Sequence, residues 1–555
     1  MKKILLLMLL LALMLPAHAA TPDDDGVVRV WLKSLEDPQT MAIILNAPYA
    51  LEHNGAYRLA AGAQITLTND GGDIWLETGG IALNLGPAAT LTRQEAAGGL
   101  FIETSNLYCG DLSVTATATG LRPILTLPVE EYLLGVVGYE MSDSFPLEAL
   151  KAQAVAARTY ALQRKWSAGS RAYDLVDTTA DQVFKGYDPE FFNVAEAVRA
   201  TEGRVCLYKG AYATCYFTAS NGGQTALPSQ LWGDNSADAY LAMKDDPYDL
   251  ENPKSLENDL TFSPRCDGSA KLRQLLTSAL KAPMRRQGFD DFMLDEIVNI
   301  EPTDPRFEGS LLFDKLTFDL RVKVPESALP APDGSAAPAT TAAPDGSAAP
   351  DGSAAPGDLA ADLPPEPERW MPLDEIQRVS LDVFDDIKEG LSMGLNGADC
   401  ELISVERSGD DFRLVMRRFG HGVGMSQRGA QQMAGEHGMD YMQILKFYYP
   451  GVTVRQLRWP DTTIAPVESL PSADRPRPTP TPTPKPLPTP GPGEHIATVN
   501  ATTLNVRENP TTAARVVDVL DRSRKVLVGS QPDADGWVRI RTGDYEGYVK
   551  AEYLN

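Results

Sequence analysis

A glutamate with apolar companions on one helix face is a candidate acid, and this sequence has one at Glu140. Within Leu127-Pro128-Val129-Glu130-Glu131-Tyr132-Leu133-Leu134-Gly135-Val136-Val137-Gly138-Tyr139-Glu140-Met141, the residues Leu133, Val136, Val137 and Glu140 fall at i, i+3, i+4 and i+7. That spacing predicts one helix face with the carboxyl at its end. Glu130 and Glu131 fall at the expected exposed start of the helix, where negative charge suits the dipole. A carboxyl on the buried side loses hydration and its pKa rises, the state a general acid needs near neutral pH. The same placement suits a buried salt bridge or a carboxylate accepting backbone N–H bonds. The stripe alone leaves these alternatives open.

A second candidate is His421, set between Gly420 and Gly422 with Gly424 beyond. Glycines at alternate positions allow positive φ and close approach of another surface. His421 could therefore reach a cleft and orient a sugar or Glu140, or bond backbone carbonyls in a tight turn. Ser426 is placed to cap a helix through Gln427–His437. A Ser-His-Asp set drawn from Ser426, His421 and Asp440 lacks a strand-to-helix elbow for the serine. The glycines do not follow a strand of a βαβ unit, so phosphate cradling is not supported. With five histidines, one of them in the N-terminal leader, and five dispersed cysteines without CxxC pairs, neither a metal nor another cofactor is expected.

These side chains need elements to hold them. Ser142-Asp143-Ser144-Phe145-Pro146 ends the first helix and starts another, with Ser144 as cap and Pro146 in the first turn. Leu147, Leu150, Ala154, Ala157 and Ala161 form its apolar stripe, and Gln153 and Tyr160, seven apart, share a face. Upstream, 26–125 reads as short strands such as Val27–Leu32, Gln64–Leu67 and Ile74–Leu76 between Gly, Asn and Asp turns. Strands return at Arg204–Tyr208 and Ala211–Phe217, giving a mixed α+β body. Cys206 and Cys215 flank the Lys209-Gly210 turn. As diagonal neighbours about 7–8 Å apart they are far for a disulfide, and apolar burial is expected for most cysteines.

The chain has three further parts. Lys2 and Lys3, the apolar run Ile4–Leu15 and Ala17-His18-Ala19 read as a signal peptide over 1–19, so the protein is expected to be secreted or in the cell envelope. The Pro-Asp-Gly-Ser-Ala-Ala-Pro heptads make 328–368 a low-complexity insertion between strands. Residues 464–494 form a Pro/Thr-rich linker, extended at about 3.1 Å per residue. The formal charge of −25 argues against nucleic acid and against attraction to anionic wall polymers.

Leu127–Leu133, Glu140-Met141, Pro146–Ala161, Thr201-Glu202-Gly203, Ser220-Asn221-Gly222-Gly223-Gln224-Thr225, Leu231-Trp232-Gly233, Gly420–Ala430 and Phe447–Gly451 together resemble the SpoIID/LytB pattern over 26–460. The resemblance implies a SpoIID-like α+β body with a β-rich N-terminal part and a helical catalytic segment. It implies that Glu140 is the acid/base of a lytic transglycosylase acting on peptidoglycan glycan strands of N-acetylmuramic acid and N-acetylglucosamine, stripped of stem peptides in the way relatives prefer. Gln153, Arg158, Tyr160, His421 and Gln427 are candidates for sugar contacts or support, with buried packing the favoured alternative for Gln153 and Arg158. Tyr139 stands where relatives carry a small residue, and Tyr216-Phe217-Thr218 where they often show Tyr-His-Ser. Three other readings are a hydrolase using Asp143 or Glu148 as second carboxylate, a non-catalytic enhancer of an N-acetylmuramoyl-L-alanine amidase or other wall hydrolase, and a wall-binding scaffold. Over 495–555, Leu504–Arg507, Gly536–Ile540, Gly547–Val549 and Tyr553-Leu554 resemble the bacterial SH3-type domain. That implies a small β-barrel binding cell-wall peptide, with Trp537 and Tyr548 as groove aromatics or, favoured by the barrel's size, core.

Overall fold

The structure, a computed structural model, describes residues 24–329, 368–459, 490 and 494–555, apart from 53–55, 97, 103–106, 236, 238, 501–502, 512–513, 515, 522–523, 530, 534 and 543–545. The expected signal peptide, nearly all of the low-complexity insertion and most of the Pro/Thr-rich linker lie outside the described residues. The rest divides into two units between residues 472 and 473. The architecture is α+β, as the sequence predicts.

Two largely antiparallel sheets build the N-terminal part of the first unit. One has seven strands, in the order Leu175–Val176, Val27–Trp31, Leu121–Pro128, Asp111–Ala116, Ala88–Arg93, Tyr49–Glu52, Ala56–Leu59. Alternation puts Val28 and Val30 inside while their neighbours are half-buried, the period-2 pattern of a one-sided strand. A six-stranded sheet around Thr40–Leu45 and Gln64–Asp70 packs into the same core. The strand Leu121–Pro128 runs directly into the helix Val129–Leu134, which delivers the Glu140 segment.

The helix Leu147–Ala168 lies at the centre of that core. Ala149, Ala152, Ala154, Ala156, Ala157 and Ala161 are all buried, and small side chains let the flanking helices Phe192–Ala200, Gln427–Gly435 and Tyr441–Tyr448 approach it. A second apolar core forms between residues 257 and 417, where the strands Met293–Pro305, Phe313–Pro325 and Gln377–Asp382 pack on the helix Ala270–Arg286. Val324 pairs with Met371, so the chain returns after the insertion to the strand it left.

The sequence-predicted helix through Glu140 differs in three ways. It is two short helices, Val129–Leu134 and Val137–Glu140, broken at Gly135-Val136. A Cβ at Gly135 would collide with the Phe184 ring, so tertiary packing demands glycine at the break. Glu130 and Glu131 are buried, not exposed. Pro146, not Ser144, takes the cap position of the long helix, and the Ser144 hydroxyl bonds that of Ser142. The Lys209-Gly210 hairpin forms with Cys206 accepting from the Ala213 N–H, and all five cysteines are buried free thiols.

The second unit is a six-stranded antiparallel sheet of the strands His495–Thr498, Lys525–Val528, Trp537–Arg541, Glu546–Lys550, Thr503–Arg507 and Val516–Asp521. It encloses its own core of Val506, Val526, Val538, Ile540 and Val549.

Candidate active site

Glu140 ends its short helix half-buried, with its carboxyl between two segments distant in sequence. Oε1 accepts the Val183 N–H at 2.9 Å, and Oε2 faces Gln427 Nε2 at a long 3.5 Å. Burial pushes this carboxyl's pKa above its ordinary value, opposed by those two donors. No cation pairs with it among the described residues. The Val183 N–H is fixed by its neighbour, since Gln182 accepts from the Tyr132 hydroxyl at 3.2 Å and donates to the Ala157 carbonyl.

The segment that supplies the Val183 N–H also lines a cavity of about 230 Å³, walled by Tyr160, Thr179, Ala180, Asp181, Tyr216, Phe217, Trp232 and His421, and the strand beside the Gln427 segment contributes Phe217 to it. Asp181 lies two residues before Val183. Gln427 follows Ser426, whose strand pairs in parallel with Phe217-Thr218. A cavity of this size admits part of a ligand, being below the 300–1,000 Å³ of typical small-molecule pockets.

His421 forms part of the wall. Its Nδ1 accepts the Val423 N–H at 3.0 Å, and the ring also bonds the Phe217 backbone. An accepting Nδ1 leaves the proton of the neutral ring on Nε2. Burial, with the nearby Arg418 guanidinium, pushes its pKa down to about 4, so the ring stays neutral at physiological pH. The glycine turn that carries it is obligatory. Gly424 has φ +75, and a Cβ there would strike the Tyr216 carbonyl. Ser426 caps the helix Gln427–Gly435 through the Gly429 N–H and bonds Asp249, not His421.

The remaining candidates separate. Tyr160 lines the cavity and its hydroxyl reaches Asp181 at 3.4 Å. Gln427 faces Glu140. Arg158 is 0 % exposed and does not reach the cavity wall. Its Nε and Nη2 bind the Glu130 carboxylate at 2.8 and 2.7 Å, and its other contacts are backbone carbonyls of Ala154, Arg204 and Val198. Gln153 is equally buried, with no partner for its amide among the described residues. Asp143 ties down Asn193 and Val194, and Glu148 bonds Lys151 and the Tyr441 N–H. In the second unit Trp537 is buried beneath Lys550, whereas Tyr548 is half-buried.

The Ser220–Thr225 motif is a buried brace. Ser220 Oγ and the Asn221 N–H donate to Asp249, while Asn221 Nδ2 and the Tyr448 hydroxyl donate to Asp246. Arg418, at φ +85, spends its guanidinium on the carbonyls of Asn221, Cys400 and Gln224. Sequence reasoning missed Asp181 and Val183, which lie in a stretch without periodicity. It quoted Trp232 and Tyr216 within motifs without assigning them to a site. Among the described residues no group of three or more His, Cys, Asp or Glu is placed to hold a metal.

Two stretches of the chain match known families. Residues 117–208, which include Glu140 and the long helix, match the stage II sporulation protein family, SpoIID. Residues 502–555 match the bacterial SH3 domain. The chain thus carries one region that matches the SpoIID family and, at its C-terminal end, one that matches the bacterial SH3 domain. It is 28% identical over 325 residues to the amidase enhancer of Bacillus subtilis (strain 168), covering 58% of this chain and 40% of that protein. It is 26% identical over 372 residues to stage II sporulation protein D of the same organism, covering 63% and 81%. The corresponding Bacillus amyloliquefaciens protein is 27% identical over 361 residues. The chain therefore spans less than half of the amidase enhancer and about four-fifths of the sporulation proteins.

Proposed function

We propose that this protein is an exported peptidoglycan lytic transglycosylase with Glu140 as its single acid/base. The observation that carries the reading is the Glu140 carboxyl, desolvated, unpaired with any cation among the described residues, and held by the N–H of Val183, two residues along the chain from the cavity-lining Asp181. Such a group keeps its proton to higher pH than an exposed glutamate. In the proposed step Glu140 gives that proton to the glycosidic oxygen leaving the muramic C1. The carboxylate then takes the proton of the muramic C6 hydroxyl as that oxygen bonds to C1. The products are a 1,6-anhydromuramic end and a free hydroxyl on the leaving sugar. No water is consumed, so the step needs no second carboxyl as base or nucleophile of the kind hydrolysing glycosidases use, and the cavity's Asp181 is engaged by Arg164 at 2.8 Å. Lys2, Lys3, the apolar run and Ala17-His18-Ala19 support export. The C-terminal SH3 domain would hold the enzyme to wall peptide.

A second reading has a specific observation behind it, the similarity to a protein named amidase enhancer. In that case the cavity binds glycan without cleaving it and the protein stimulates an amidase. Mass spectrometry of peptide-free glycan strands incubated with the protein and no amidase separates the two. Anhydro ends from the wild type and none from Glu140→Gln support the transglycosylase. Unchanged strands with both proteins refute it and leave the enhancer.

A further inference from the structure

We propose that Gln182 is a positioning residue for Glu140: its buried amide fixes the backbone of residues 181–184 so that the Val183 N–H meets the carboxyl at Oε1. This assignment rests on the proposed function only for the part that Glu140 plays in cleavage. Residues 181–184, Asp-Gln-Val-Phe, alternate between half-buried and buried, the period of extended chain. Gln182 and Phe184 are the buried pair, on either side of Val183. Phe184 follows from its type, since its ring packs against Tyr108 and Tyr132 at centroid distances of 5.7 and 5.0 Å. An amide in the neighbouring inward position, only 1% exposed, calls for a different reason, because a polar group taken out of water costs free energy unless it is bonded.

Gln182 is bonded at both ends of its amide. Oε1 accepts the Tyr132 hydroxyl at 3.2 Å, and Nε2 donates to the Ala157 carbonyl at 3.4 Å. Tyr132 belongs to the helix Val129–Leu134, which leads into the Glu140 segment, and Ala157 to the long helix Leu147–Ala168. One side chain therefore sets the spacing of the loop from both helices. A satisfied buried polar group specifies a single arrangement, which is what an N–H aimed at one carboxyl oxygen needs. The ends of the loop are held by other contacts. Leu175–Val176 pairs in parallel with Val30-Trp31, and the Asp177 carboxylate accepts the Ser34 N–H at 2.9 Å. The Asp177 carbonyl accepts the Phe184 N–H at 3.2 Å. None of these three contacts involves the 182–183 peptide, whose N–H is the one that Glu140 uses.

Charges on the surrounding elements are engaged elsewhere. On the loop, Asp177 is bonded by Ser34 and Asp181 by Arg164 and Tyr160 of the long helix. Lys185 lies over the Tyr139 ring, and Arg428, beside Gln427, over that of Phe145. Tyr132 on the first helix interacts with Glu140 directly, as a neutral phenol whose burial holds its proton. The ionised form of Glu140 therefore leans on the Val183 N–H at 2.9 Å, with Gln427 at a long 3.5 Å. Loss of a hydrogen bond to the ionised form raises a carboxyl's pKa.

The test is the titration midpoint of the Glu140 carboxyl in the full chain, from infrared difference spectra of each protein against its own Glu140→Gln counterpart. Gln182→Leu keeps the approximate volume, removes both bonds and should raise the midpoint by about one pH unit, the order of one backbone hydrogen bond to a carboxylate. Tyr132→Phe removes only the hydroxyl and should raise it by less. The double variant should match Gln182→Leu alone, because both single changes cut the same bond. Additive shifts would mean that the two residues act separately, and would overturn the link. Should Gln182→Leu lose the wild-type circular dichroism, Tyr132→Phe decides. A residue that merely fills the core would lower the melting temperature and leave the midpoint at its wild-type value, and that result overturns the assignment. The two proposals fail separately. A raised midpoint without anhydro products keeps Gln182 as the positioning residue and sinks the transglycosylase. Glu140-dependent cleavage with an unmoved midpoint does the reverse.

Discussion

Replacing Arg158 with methionine tests whether this residue belongs to the substrate or to the scaffold. Its guanidinium is fully buried, and the Glu130 side chain it binds is 9% exposed, so solvent screens the pair little. The two bonds, at 2.8 and 2.7 Å, are charge-assisted, each of a kind worth about 1.5–3 kcal/mol. Together they suggest a loss of about 3–6 kcal/mol. Breaking a buried pair from one side costs about 3–5 kcal/mol by comparison with similar sites. Glu130 would keep only the Gly203 N–H and a distant Trp459 indole N–H. Against a typical stability of about 5–15 kcal/mol, Arg158→Met should shift the urea midpoint of the first unit strongly downward, as followed by far-ultraviolet circular dichroism. The double variant Glu130→Leu/Arg158→Met, with neither charge left buried, should recover most of the loss. If Arg158→Met unfolds within about 0.5 kcal/mol of wild type but loses glycan affinity, the packing assignment is wrong and Arg158 contacts sugar.

The Glu140 carboxyl's raised pKa sets a pH dependence on folding. Stability from this group is greatest below its ordinary value of 4.5 and is lost as pH rises through the raised value, so Glu140→Gln should melt with wild type near pH 4 and above it at pH 8. For His421 the sign is opposite: its pKa falls from 6.5 to about 4, so its contribution is present above 6.5 and lost as pH falls toward 4. Nitrogen-15 spectra of the ring should show it neutral at pH 5.5, and a charged ring there would contradict the assignment. In the second unit Trp537→Ala should cost about 3–5 kcal/mol, as for other buried aromatics. Tyr548→Ala should keep the fold while weakening retention on isolated walls, and normal retention would remove Tyr548 from the binding surface.

Some of this was legible in the sequence because local pattern and tertiary context agree. Val27–Trp31 alternates as a one-sided strand, Ser426 caps its helix, and Glu140 ends a run of apolar residues. Elsewhere the decisive contacts come from far along the chain. Glu130 and Glu131 read as an exposed helix start, but Arg158 and Arg93 arrive from other elements to neutralise them below the surface. Glycine at 135 is required by the Phe184 ring packed against it. The cavity gathers residues 160, 179–181, 216–217, 232 and 421, from helix, strand and loop segments that share no period. The glycines around His421 correctly signalled close approach, yet what approaches is the protein's own backbone and Arg418.

Infrared difference spectra between wild type and Glu140→Gln, recorded across pH, would isolate the protonated-carboxyl band of this one side chain. A midpoint above 4.5 is the expected result, the consequence of removing a carboxyl from water without giving it a cation. A midpoint at or below 4.5 would mean that Glu140 is already ionised where the enzyme would need it to donate a proton.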